Sequence, residues 1–170
     1  MESYSEIETQ IIQALNIYTD DAARDNIRSN RDWTSRLFER LGLLGESLNY
    51  NVCASGFGRR FSPEWLFDLV WYDEVGEGIN TRLVDVSLVV ESEWHTSFAH
   101  IKYDFEKLLV ANARRRLFIC YINDNSLQSM KEYFIEAIQK FQLGHTGDRF
   151  LIAMMMMNTN EFEYQLIVRN

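Results

Sequence analysis

The sequence predicts an α/β domain, a mixed central sheet flanked by helices. Apolar residues recur at helical spacing in four separate stretches, and short β-branched or aromatic runs lie between them. One strand–helix–strand unit occupies so few residues that it implies a right-handed crossover between parallel strands. With 170 residues, 46% hydrophobic and 14% aromatic, the chain suits one domain over 1–170 with one well-filled core.

Ile7, Ile11, Ile12, Leu15 and Tyr18 mark an amphipathic first helix. Leu37, Leu41, Leu44 and Leu48 form the buried stripe of a second, with Asn30 or Asp32 as its cap, so helices fill 1–48. Asn51 to Phe57 is a short strand ending in the Gly56-Phe57-Gly58 turn. After Pro63, the only proline, EWLFDLVWYD reads as a strand from its aromatic and β-branched content. The acidic EVGEGINT is a hairpin loop, and Leu83 to Glu93 returns as a long antiparallel strand. Phe98, Ile101, Phe105, Leu108 and Leu109 predict a helix over SFAHIKYDFEKLLVANA. The buried strand RRRLFICYI then closes a core segment over 51–122.

The remaining 126–170 hold a helix marked by Leu127, Met130, Phe134, Ile138 and Phe141, then strands Arg149–Met157 and Glu161–Val168. QLGHTGD is a turn, since its glycines do not match a phosphate loop that needs GxxxxGK. The run MMMM reads as adaptable core filling.

A net charge of −8 argues against nonspecific coating of nucleic acid. Thirteen of the seventeen basic residues are nevertheless arginine, clustered at Arg24, Arg28, Arg31, Arg36 and Arg40, at Arg59–Arg60 and at Arg114–Arg116. Arginine's fork suits phosphate, although solvated helix and loop faces account for each cluster as well. Cys53 and Cys120 show no ligand spacing and read as buried thiols of a reduced, cytoplasmic protein. No apolar stretch is long enough for a bilayer, and MESYSEIETQ is too polar for a secretion signal, so no membrane partner is expected.

The chemistry concentrates in LVVESEW. Glu91 and Glu93 share a strand face with Asp85, Ser87 and the apolar Val89, and the other face is Val84, Val86, Leu88, Val90, Ser92, Trp94. That pattern describes a strand with one wet side. Asp68 adds a second reading. Its strand is apolar on both sides elsewhere, so an ionised aspartate there is costly unless paired or bound to a cation. Adjacent strands lie about 4.8 Å apart. A register placing Asp68 beside Glu91 would gather three carboxylates into a site suited to one or two hydrated Mg²⁺ ions. Asp85, about 20 Å away along the strand, would stay outside. Asp104 and Lys107 form either a helix ion pair, or Lys107 reaches back over the strand end. His95 reads as a solvated loop residue and His100 as a helix N-terminal one.

With FDLVW, VVESEW and DFEKLL in this order, the chain resembles the PD-(D/E)XK nuclease superfamily over roughly residues 35 to 122. The resemblance implies a restriction-endonuclease-like core, with Asp68 and Glu91 as the metal-binding acids and the Ser92 backbone carbonyl as a further ligand. Glu93 stands where the motif lysine usually does, similar to an E-x-E variant in which the second glutamate orients or deprotonates the water. In other members the lysine lies on the neighbouring helix, where Lys107 is the candidate. Glu39 or Glu46, Glu39 ahead, could supply the N-terminal helix acid. The implied activity is Mg²⁺- or Mn²⁺-dependent hydrolysis of nucleic-acid phosphodiesters, DNA ahead of RNA, with a homodimer for double-strand cleavage. The alternative is a nuclease-fold protein that has lost catalysis and acts as a binding or regulatory module.

Overall fold

The computed structural model describes residues 3–25, 29–56, 61–63 and 65–170, with the backbone alone for 21–25, 30 and 31. Arg28, Arg59, Arg60 and the Phe57–Gly58 part of the expected turn lie outside the described residues, as do the side chains of Arg24 and Arg31.

Helix α1 (Glu6–Asp25) opens with a capping box: the Glu8 N–H donates to Ser5 Oγ, and the Ser5 N–H donates to Glu8 Oε2. Helix α2 (Asn30–Ser47) is capped by Ser29, not by Asn30 or Asp32. The Ser29 hydroxyl accepts the Asp32 N–H at 3.1 Å and donates to the Asp32 carboxylate at 2.7 Å, so Asp32 completes the cap from inside the first turn.

Six strands follow: β1 (Asn51–Ala54), β2 (Leu69–Val75), β3 (Arg82–Glu93), β4 (Arg115–Ile122), β5 (Arg149–Met156) and β6 (Phe162–Val168). They lie side by side in chain order. β1, β2 and β3 form an antiparallel meander, and α3 (Phe98–Leu109) and α4 (Leu127–Lys140) cross over to put β4 and β5 parallel to β3. β6 returns antiparallel to β5.

Helices α1 and α2 cover one sheet face, where Leu15, Leu37 and Leu41 pack on Leu69, Trp71, Leu88, Val90 and Ile119. Helices α3 and α4 cover the other, where Ile101, Phe105 and Phe134 pack on Val70, Val89, Phe118 and Ile152. Strands buried on both faces need apolar residues throughout, which is why β4 and β5 read as unbroken runs. The methionine run serves both layers, with Met154 in the α3/α4 layer and Met155 in the α1/α2 layer. Gly45 lets α2 approach the sheet: a Cβ there would stand 2.6 Å from Nε1 of the buried Trp71.

Two local departures from the expected strands shape the end of the β2–β3 hairpin and the middle of β3. β2 begins at Leu69, five residues later than EWLFDLVWYD suggests. Leu66 has φ 66°, and the Phe67 N–H donates to the Trp65 carbonyl at 2.9 Å, so a three-residue turn precedes the strand and leaves Asp68 just outside it. In β3 the pairing passes from Trp71↔Leu88 to Tyr72↔Val86, leaving Ser87 as an extra residue. Strict alternation breaks there, and Val86 packs in the same layer as Val89. The wet-face reading of β3 also fails: Glu91 lies under α3 and is 2% exposed.

Candidate functional site

The site forms where β3 outruns its partner β2. Leu69 pairs with Val90 at the end of the β2–β3 ladder, so Asp68 follows on beside the stretch Glu91–Ser92. The turn at Leu66 frees Asp68 from the ladder towards β3, and its carboxylate takes over as acceptor. Asp68 Oδ2 receives the Ser92 N–H at 2.9 Å and the Ser92 hydroxyl at 3.0 Å. On the other side the Asp68 carbonyl accepts the Ser55 N–H at 2.8 Å, tying the residue to the end of β1. Ser92 is therefore at the site, engaged through its amide and hydroxyl as donors.

Glu91 points into the α3/α4 layer. Helix α3 runs back over the end of β3, and its last turn delivers Lys107 Nζ to 2.9 Å from Glu91 Oε2 and 2.6 Å from Asp104 Oδ1. The two roles considered for Lys107 thus hold together: it is a helix ion pair and it reaches back over the strand. Burial, and next the negative charge of Asp68, push the Glu91 carboxyl up to about 7, against the pull of Lys107. Burial works against the ammonium of Lys107 too, but its hydrogen bonds to Asp104 and Glu91 outweigh that and raise its pKa above the ordinary lysine value.

The third expected carboxylate stands apart. Glu93, two residues on and on the same side of the strand, turns Oε1 onto its own chain and accepts the His95 N–H at 2.7 Å. Glu39 is half-buried on α2, in the layer across the sheet from Glu91, and Glu46 is exposed near the end of that helix. Asp85 is neutralised by Arg114, which donates to both its oxygens at 2.9 and 2.7 Å. Cys53 and Cys120 are free, buried thiols in strands. Among the described residues no helix is long and apolar enough to cross a membrane.

No family model, curated protein or solved structure matches this chain.

The donors decide whether a divalent cation suits this place. Among the described residues, no three His, Cys, Asp or Glu side chains come together as a cage. Mg²⁺ is commonly held by only one or two carboxylates, with waters and substrate phosphates completing its octahedron. Asp68 and Glu91 meet that smaller requirement. Both are oxygen donors on adjacent strand ends, and the charge of one already disfavours ionisation of the other. A dication between them would relieve that repulsion.

Sequence reasoning picked out Asp68, Glu91 and Lys107, which the structure brings together. It missed Ser92 as the clamp on Asp68, because the signal was a tertiary one, the turn at Leu66.

Proposed function

We propose that this chain is a metal-dependent hydrolase of nucleic-acid phosphodiester bonds, built on the PD-(D/E)XK plan. The observation that carries the reading is a buried strand-end glutamate paired with a helix-borne lysine, Glu91 with Lys107, opposite an aspartate clamped by Ser92. The order of meander, crossover helix and parallel strand supports it.

Asp68 and Glu91 would hold the Mg²⁺ or Mn²⁺, which when bound supplies a Lewis acid and lowers the pKa of a coordinated water. Ser92 fixes the orientation of Asp68, and burial with Lys107 fixes that of Glu91. An ammonium has three donors, of which Glu91 and Asp104 use two, so Lys107 can give the third to a phosphate oxygen. Glu93, at the rim, holds the His95 amide with Oε1 and keeps the lone pairs of Oε2 for a water-orienting role.

The second reading is a binding or regulatory protein without catalysis. It draws on the same ion pairs, because Lys107, itself held by Asp104, satisfies Glu91 with no metal at all. Purified chain incubated with labelled oligonucleotides and Mn²⁺ separates the two. Cleavage that disappears in both Asp68→Ala and Glu91→Ala, with unchanged circular dichroism, supports the hydrolase. Cleavage that persists in both variants removes the site assignment.

A further inference from the structure

Beyond Lys107, the solvent side of α3 carries a row of rings. Tyr103 is 70% exposed, and the Lys107 ammonium lies 5.4 Å from its ring centroid. His100 sits about one turn earlier on the same side of the helix. Its ring meets that of His95 at 4.8 Å between centroids, at an interplanar angle of 61°. The His95 main chain is held in turn by Glu93. His95, His100, Tyr103 and Lys107 therefore form one strip, from the end of β3 along α3 to the ammonium that touches Glu91.

The fold gains little from these rings. α3 buries Ile101, Phe105 and Leu108, whereas His95, His100 and Tyr103 are all exposed. A ligand with π-faces would gain from them. Duplex binding draws its affinity largely from neutralising phosphates with a basic surface, and this chain has a net charge of −8. A strand with unpaired bases offers faces that stack on aromatic rings, a contribution that adds to phosphate contacts.

We propose that the preferred substrate carries unpaired bases, which stack on Tyr103, His100 and His95 while the neighbouring phosphate sits at Lys107. This rests on the hydrolase reading and specifies its substrate class. The cation adjoining Tyr103 lies at the end of the strip nearest the carboxylates, so a base stacked there delivers its own phosphate to Asp68 and Glu91.

The test has separate binding and cleavage arms. Fluorescence anisotropy with Mg²⁺ compares a short single strand with the duplex of the same sequence on the Glu91→Gln chain, in which cleavage is off. The single strand is expected to bind more tightly. Tyr103→Ala and His100→Ala should each weaken it about 5- to 100-fold, while Tyr103→Phe keeps the affinity. His100→Ala guards against an effect of Tyr103→Ala on Lys107 alone. Equal or tighter duplex binding, or indifference to both alanine variants, overturns the inference. Cleavage by the unmodified chain with Mn²⁺ is scored independently. Cutting without single-strand preference leaves the hydrolase standing and removes the stacking strip. Ring-dependent binding without cutting keeps the strip as a binding surface for unpaired bases but removes the hydrolase and with it the substrate preference. Failure of both arms removes both.

Discussion

The Lys107 ammonium lies 2.9 Å from Glu91 Oε2, joining the last turn of α3 to the buried end of β3. Glu91 is 2% exposed, so its charge has almost no water to lean on. A carboxylate so placed must be paired, protonated or metal-bound. The structure supplies the first option, the raised pKa makes the second accessible, and the proposed function uses the third.

Removing the partner tests the first option. Lys107→Met should destabilise the metal-free protein by about 1–3 kcal/mol at pH 8. That is below the usual cost of orphaning a buried charge, because Lys107 is 38% exposed and screened, and because Glu91 can take up a proton. Urea denaturation of the variant beside the parent gives the difference, and equal midpoints would mean that the pair contributes nothing.

The second option has a pH signature. The folded Glu91 carboxyl titrates at about 7, above its ordinary 4.5. An acid raised in this way favours the folded state fully below the unfolded pKa, and that advantage is lost as pH rises from about 4.5 through 7. Between pH 5 and 8, metal-free wild type should therefore lose on the order of 2–3 kcal/mol relative to Glu91→Gln. Parallel denaturation curves at the two pH values check this, and an unchanged gap contradicts it.

The third option links to metal. Mn²⁺ should raise the melting temperature of wild type but not of Glu91→Gln. The rise should be larger at pH 8 than at pH 6, since the cation competes with the proton on Glu91. Differential scanning fluorimetry with graded Mn²⁺ reads this directly, and equal shifts in both proteins would place binding elsewhere.

A fourth prediction concerns the turn before Asp68. Leu66 is 74% exposed at φ 66°, a conformation that costs a bulky L-residue about 1–2 kcal/mol and glycine almost nothing. After the greater unfolded-state freedom of glycine is subtracted, Leu66→Gly should stabilise the fold by about 0.5–1 kcal/mol. A melting scan should show a rise of about 1–4 °C. A fall would mean that the leucine side chain holds the turn through contacts.

The helices and strands were largely legible because their signals are local. The stripe Leu37, Leu41, Leu44 states its helical period, and the run RRLFICYI its apolar continuity, within one element. What was lost depended on partners. EWLFDLVWYD has strand composition throughout, yet the turn at Leu66 ends the pairing before Asp68, and composition carries no φ angle. ESE looked like a wet face because two glutamates two apart usually are one. Only the packing of α3 shows that Glu91 is interior and Glu93 is at the rim. Lys107 could be named but not aimed, since its direction depends on how α3 crosses the sheet.

Ser87 divides β3 into two segments that keep separate count. Towards the hairpin tip, Leu83 and Val84 face solvent, and a gained or lost residue there has room to be absorbed. Between Leu88 and Glu91 the same change would swing the acid across the sheet, under α2 and out of reach of Lys107. Length variation in this strand should therefore be confined to the tip side of Ser87, with the spacing from Leu88 to Glu91 held fixed.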